Sequence, residues 1–419
     1  MQVPAPTLLV AASLALSSAA LAVADQRAGS QAPAGAVEPS SEPGPIDVWT
    51  SGVGGYHTYR IPSVIATRSG ALLAFCEGRK SGRGDTGDID LLRKRSTDGG
   101  QTWSAHSVVW DAGPHVCGNP CPVVDARTGR IHLLLTHNLG QDSEREIIDG
   151  TSEGSRTVWV LTSDDEGATW SAPRELTDTT KRPDWTWYAT GPGVGVQLTR
   201  GAHAGRFVVP CDHIEAGSKR YFSHVILSDD GGATWRIGGA SARDRLNECQ
   251  AAELSDGSLV LNMRNYDRAK RARAVARSTD GGETFGPVTW DEALPEPICQ
   301  AGLIALDVTH AGAHDAHQAP NAGDGVPAAE RARRLVFSNP ASPDQRERMT
   351  LKASDDGGVS WREVAVLHAG PAAYSCLVAL PAADGAPRVG CLFERGTAHP
   401  YEHISFSRCA VPGPASTAK

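Results

Sequence analysis

The residues of this chain whose types could do chemistry fall in short motifs spread from position 60 to position 394. Arg60 stands in Tyr59-Arg60-Ile61-Pro62, Arg264 in Leu261-Asn262-Met263-Arg264, and Arg79 in Leu73-Ala74-Phe75-Cys76-Glu77-Gly78-Arg79. Glu248 stands in Asn247-Glu248-Cys249-Gln250, Tyr374 in Ala373-Tyr374-Ser375, and Glu394 in Cys391-Leu392-Phe393-Glu394. A glycine-bearing stretch, Asp85-Thr86-Gly87-Asp88-Ile89-Asp90, follows Arg79. Guanidinium groups pair bidentately with carboxylates and never lose their charge. Carboxylates carry protons to and from a reacting group, and a tyrosine near pKa 10 attacks only when a base within hydrogen-bond reach takes its proton. Read singly, each has a plainer explanation: an arginine can be a solvated surface charge, and Glu248 an edge-strand carboxylate. The apolar flank Cys249, Ala251 and Ala252 argues against the latter. No CxxC pair or histidine-rich cluster suggests a metal, and His213 and His224 read as ordinary polar residues, so neither metal nor cofactor is expected.

Something must carry such scattered residues to one place, and an internal repeat indicates what. The pattern Ser-x-Asp-x-Gly-x-Thr/Ser-aromatic occurs five times, as Ser96 to Trp103, Ser163 to Trp170, Ser228 to Trp235, Ser278 to Phe285 and Ser354 to Trp361. Each copy reads as a hairpin turn: aspartate accepts bonds from turn amides, glycine takes the left-handed position, and the aromatic buries against the sheet. The copies are roughly 50 to 75 residues apart, enough for about four short strands with loops. At about 60 residues per unit, the span from Asp47 to Ala410 gives six units, one without the box. The expectation is an all-β, six-bladed β-propeller in which His403 to Val411 supplies a closing strand beside the N-terminal one. Forty-five Gly and 27 Pro against 3 Met fit many short strands and tight turns. Propeller blades converge on one axis, so residues far apart in sequence can meet there.

With the boxes, the ordered motifs resemble the bacterial and animal exo-α-sialidases, of the glycoside hydrolase family 33 type, from Tyr56 to Phe406; Gly118-Asn119-Pro120-Cys121-Pro122 belongs to the set. The resemblance implies a hydrolase (EC 3.2.1.18) that removes terminal sialic acids from glycans with retention. It implies three arginines for the substrate carboxylate, which fall on Arg60, Arg264 and Arg346, with Arg348 two residues away as the alternative to the last. It implies Tyr374 as nucleophile, Glu248 as its base and Asp85 as acid/base, with Asp88 and Asp90 as competitors by proximity. That sialidases use tyrosine where other retaining glycosidases use a carboxylate is general knowledge of the class; a neutral hydroxyl avoids repulsion by the substrate's own carboxylate. By the same resemblance Arg79 lies at the pocket rim, Glu394 holds the first arginine, and Glu144 lines the N-acyl subsite, with Asp142 and Glu146 close by. The chain departs from the pattern at Cys376, where aspartate is common, and at Pro210-Cys211-Asp212-His213, where animal relatives carry tyrosines facing the glycerol chain. A trans-sialidase and a non-catalytic sialoglycan-binding propeller are the alternatives; the second predicts loss of Tyr374, Glu248 or Asp85, and all three are present.

The remaining features bound the setting. Residues Leu8 to Val23 form an apolar stretch ending in small residues, like a signal peptide, although Met1 to Thr7 carries no Lys or Arg. The expectation is a signal segment at 1–24, a Pro/Gly/Ala/Ser-rich tether at 25–45, a catalytic domain at 46–411 and a tail at 412–419, the protein being secreted or periplasmic with no stable membrane span. His310 to Arg334 reads as a long insertion loop. Net charge −8 argues against a nucleic-acid partner, and Lys270-Arg271-Ala272-Arg273 reads as a solvated turn. The expected partners are sialylated oligosaccharides, glycoproteins or glycolipids, with the oligomeric state open. Of nine cysteines, Cys117 and Cys121 stand close enough in sequence to pair, and most others read as buried small hydrophobes.

Overall fold

The computed structural model describes Met1 and residues 44–308, 331–383 and 386–414. The expected signal segment after Met1, the tether up to residue 43, most of the 310–334 insertion and the last five residues of the tail lie outside the described residues. The insertion ends sooner than expected, because Ala332 to Arg334 already belong to a strand.

Nearly all regular structure is antiparallel β; the exceptions are short, at Glu144–Asp149, Thr177–Thr180 and Gly201–His203. Many strands are apolar without alternation because sheet packs on both faces: every residue of Leu72–Arg79 is buried. Among the described residues the pairing resolves into six groups of four strands. The first is Thr58–Ala66, Leu72–Arg79, Ile89–Ser96 and Ser107–Trp110; the second is Val116–Val124, Ile131–Asn138, Thr157–Ser163 and Arg174–Glu175. The third is Trp185–Thr190, Phe207–Glu215, Tyr221–Ser228 and Arg236–Ala240, with a fifth, two-residue strand Val196–Gln197 also paired to Phe207–Glu215; the fourth is Leu246–Glu253, Leu259–Asn265, Ala272–Ser278 and Thr289–Pro295. The fifth is Gly302–Val308, Ala332–Pro340, Glu347–Ser354 and the first half of Arg362–Ala383. The second half of that long strand opens the sixth group, followed by Ala386–Arg395 and His403–Ala410; the expected closing pair is present, with Ile46–Thr50 beside His403–Ala410.

Six apolar clusters glue the groups together, each between neighbours. Leu73, Phe75 and Leu91 of the first group meet Ile131, Leu133 and Leu161 of the second, for example. Val64, Ala74 and Leu92 of the first likewise meet Val378, Leu392 and Phe406 of the sixth. All nine cysteines are buried. Cys117 and Cys121 cannot pair: they lie on one strand, where four residues span about 13 Å, twice the reach of a disulfide.

The boxes sit between the third and fourth strands of the first five groups and share one set of bonds. In the second, Ser163 Oγ donates to Asp165 Oδ1 (2.8 Å) and accepts from Gly167 N (2.8 Å), while Thr169 donates to Asp165 through N (2.9 Å) and Oγ1 (2.5 Å). The sixth group has no box because its third and fourth strands are not consecutive in sequence. Bonds from Thr169 and Ser163 pull the Asp165 carboxyl down to about 2. In Asp280 and Asp356 partial burial opposes equivalent bonds, which still win and hold both at about 2. Since an unfolded aspartate titrates near pH 3.9, this stabilisation is present above pH ~4 and is lost as pH falls toward 2. Thermal melts should therefore drop steeply between pH 4 and 2, and Asp165→Asn should flatten that part of the profile; an unchanged slope would remove the boxes from the acid response.

Candidate active site

The polar motifs converge on a pocket of about 200 Å³ lined by residues 60, 77, 85, 144, 248, 264, 346 and 374, among others. A recurring local device aims them. The first strands of every group but the fifth carry register shifts at the pocket: between Arg60 and Ser63, Gly118 and Cys121, Trp185 and Tyr188, Leu246 and Cys249, and Ala372 and Ser375. Bulges re-aim side chains that regular alternation would send to the sheet faces. Ile61 and Asn119 pay for this with φ of 60° and 55°, values that L-residues seldom adopt.

At the centre, the Tyr374 hydroxyl donates to Glu248 Oε1 (2.6 Å), and Arg264 Nη1 donates both to Glu248 Oε2 (2.5 Å) and to Tyr374 Oη (2.9 Å). Tyr374, Glu248 and Arg264 are all buried. Burial, then the charge of Glu248, pushes the Tyr374 hydroxyl well above its ordinary pKa, against the pull of Arg264, Arg346 and Arg60, so the phenol is neutral at pH 7. Glu394, with no exposed surface, accepts from Arg60 Nε (2.7 Å) and Ile61 N (2.9 Å) on one oxygen and from Tyr374 N (3.1 Å) on the other. It thus fixes an arginine and the tyrosine together.

Arg346 donates to Tyr401 Oη (2.8 Å) and to the carbonyl of Ile298 (2.7 Å). Arg348 turns away to Glu363 on the outer surface (3.0 Å), so of the two only Arg346 reaches the pocket. Arg79 is buried; its Nη2 donates to Glu77 (2.6 Å) and Asp85 (2.6 Å), and its Nη1 to the carbonyls of Arg83 (2.5 Å) and Gly84 (3.0 Å), fastening the loop that bears Asp85. Burial would raise the Asp85 carboxyl, but Arg79 and Arg60 outweigh it and hold it below the usual range. Asp88 and Asp90 pair with Lys80 away from the pocket. Of the three acids near position 144, Asp142 binds the amides of Glu153 and Gly154 and Glu146 closes the capping box of helix Glu144–Asp149, which leaves Glu144 on the pocket. Burial, then Asp85, raises the Glu144 carboxyl.

Several lining residues had no role assigned from sequence. Tyr401 lies 3.7 Å beneath the Arg60 guanidinium, Tyr266 packs under Arg264, and Arg156 stacks on Trp187. Arg156 also binds Asn119 and Asn138. Asp212 accepts from Asn247 Nδ2 (2.8 Å); burial, then Glu248, pushes its carboxyl well above the usual carboxylate range. Tyr266 could have been found from its place two residues after Arg264, whereas Tyr401 and Arg156 carry no local signal. His213 and His224 are buried and bonded to each other (Nδ1 to Nδ1, 3.0 Å). The expected solvated turn at 270–273 is half wrong: Arg273 is fully buried, bonded to Glu296 (2.6 Å) and the Cys299 carbonyl (2.8 Å), and braces the segment whose Ile298 carbonyl holds Arg346.

Three guanidinium groups around a buried tyrosine–glutamate pair, with an aspartate on a loop, can hold an anion beside a nucleophile, a base and a proton donor. The BNR repeat-like domain family matches residues 70–386. The chain is 36% identical over 387 residues to a sialidase of Micromonospora viridifaciens, covering 90% of this chain and 56% of that protein, so it spans little more than half of that relative's length. It is 33% identical to an exo-alpha-sialidase of Arthroderma benhamiae, covering 74% of this chain and 70% of the relative. It is 29% identical to human sialidase-4, covering 83% and 89%. Among solved structures, a Hadza microbial sialidase superposes with a TM-score of 0.73 at 30% identity, covering 88% of this chain and 68% of that one. The chain belongs to the sialidase family.

Proposed function

We propose that this protein is an exo-α-sialidase that hydrolyses terminal sialic acids from oligosaccharides, glycoproteins or glycolipids with retention of configuration. The observation that carries the reading is the Tyr374–Glu248–Arg264 triangle, in which a neutral phenol already donates its proton to a buried carboxylate. Arg60, Arg264 and Arg346 bind the substrate carboxylate, which keeps the anomeric carbon over the Tyr374 oxygen. Glu248 takes the phenolic proton as the oxygen attacks, and Asp85 protonates the departing glycosidic oxygen. Asp85 must be protonated to do so, and the bound carboxylate assists by offsetting the arginine charges that hold its pKa down in the free protein. Water, deprotonated by Asp85, then displaces the sugar from tyrosine on the face it left, while Glu248 returns its proton to the departing phenolic oxygen. Arg79 places the Asp85 loop, Glu394 orients Arg60, and Glu144 lines the subsite for the N-acyl group.

The fold that serves this chemistry is a six-bladed β-propeller over residues 46–411. Supporting it are the six four-stranded groups, the apolar cluster between the sixth and first groups, and a second hollow lined by residues from all six, including Val64, Val123, Val196, Ala251, Leu303 and Leu377. Among the described residues no helix is long and apolar enough to cross a membrane; the segment at 1–24 is proposed to direct export. Proton NMR of a 3′-sialyllactose digest tests the mechanism. The α-anomer of free sialic acid should appear first and then mutarotate; β-anomer first would exclude retention, and binding without release would leave a glycan-binding protein.

A further inference from the structure

The loop that carries Asp85 is exposed but tied at several points: to Arg79, through Gly87 N donating to the Gly140 carbonyl (2.8 Å), and through Arg83 Nη1, 2.9 Å from His399 Nε2. Between strands Leu72–Arg79 and Ile89–Ser96, none of residues 81–87 is buried. Its inner side is fastened by Arg79. At its foot the backbone closes through Lys80 N donating to the Asp88 carbonyl (3.1 Å), and there three carboxylates from two segments surround one ammonium. Lys80 Nζ lies 2.8 Å from Asp88 Oδ1, 3.1 Å from Asp90 Oδ2 and 3.9 Å from Asp111 Oδ2. One oxygen from each carboxylate lies within 4.8 Å of the others, a spacing that suits a single cation. Asp90 is 1% exposed; its Oδ2 also accepts from the Tyr56 hydroxyl (2.6 Å), while its Oδ1 is buried with no hydrogen-bond partner among the described residues. Three carboxylates facing one ammonium leave surplus negative charge, so without a cation they would repel one another and open the foot of the loop. Hard oxygen donors of this kind are the ligands that calcium takes.

We infer that Lys80 is a tethered cation in a three-carboxylate cage that positions the Asp85 loop, and that the cage accepts calcium once the ammonium is removed. The positioning half rests on the proposed role of Asp85; the cation half does not. Lys80 touches no reacting atom and acts only by keeping the foot of the loop, away from the pocket, closed.

The test compares wild type, Lys80→Ala and Lys80→Arg in calcium-free buffer and in millimolar calcium chloride, the affinity range of weak extracellular sites. Wild-type kcat on a sialoside should be indifferent to chelator and to calcium. Calcium-free Lys80→Ala should lose about 10- to 100-fold in kcat, the scale of an ångström-level misplacement, with KM within about twofold because the arginines that bind the carboxylate are untouched. Calcium should restore most of that loss, and Lys80→Arg should need none. Calorimetric titration with calcium chloride alone should show one site in Lys80→Ala, none in wild type, and none in Lys80→Ala/Asp111→Asn. This titration is independent of activity, so an inactive wild type would refute the sialidase reading and leave the cage standing. Wild-type kcat in folded, calcium-free Lys80→Ala, or no calcium binding by that folded variant, would overturn the inference.

Discussion

Tyr374→Phe should lower kcat on a sialoside by on the order of 10³-fold or more while the protein still binds sialosides. The substitution removes one oxygen and little volume, so the aromatic contact with Arg60 and the backbone bond to Glu394 persist. What disappears is the group that receives Arg264 and gives its proton to Glu248. Arg60, Arg264 and Arg346, proposed to bind the carboxylate, stay in place, so the dissociation constant for a sialoside, measured by calorimetry, should move far less than kcat. The two readings separate cleanly. A variant retaining more than a tenth of wild-type kcat would show that Tyr374 is not the nucleophile, and parallel loss of binding and turnover would point to a collapsed pocket instead.

Glu394→Gln is expected to cost about 3–5 kcal/mol of stability, the usual penalty for breaking a buried ion pair from one side. Glu394 has no exposed surface and faces three donors, the Arg60 guanidinium and the amides of Ile61 and Tyr374. A glutamine offers one acceptor oxygen and turns an NH₂ toward donors, so at least one buried group loses its partner. Urea midpoints report the stability loss, and a raised KM reports that Arg60 is no longer fixed. Glu363→Gln is the matched control: it breaks the half-exposed pair with Arg348, worth about 0–1 kcal/mol. Equal midpoint shifts for the two would mean that burial does not make Glu394 special.

The sequence made repetition legible and local geometry far less so. Five copies of one turn are visible to any reader because the same bonds must be made each time, and that repetition carried the strand count per unit. Arg60, Glu248 and Tyr374 were legible because their neighbours build the bulges that aim them, and Arg264 because it lies opposite one, so motif and position come together. The choice between Arg346 and Arg348 was not. Two residues apart on a regular strand, both would face the same way; Arg348 instead has φ of 60°, with a register shift between Glu347 and Met349 that turns it outward. Tyr401 was invisible because it enters from a connection whose shape depends on contacts with other segments, such as Ser51 Oγ donating to its carbonyl (2.8 Å). Arg273 was misread because a basic run looks solvated until its buried partner Glu296, 23 residues on, is known.

The bond between Arg60 and Glu394 joins residues 334 apart, and the strand pair Ile46–Thr50 with His403–Ala410 spans a similar separation. A ribosome making this chain releases Arg60 early and supplies its partner only near the end of the fold. Ile46–Thr50 must wait for its partner strand while the five other groups assemble behind it. The pocket is therefore a late product of synthesis: no nascent chain that stops before Glu394 can hold Arg60 and Tyr374 together, and catalytic competence arrives with the last strands.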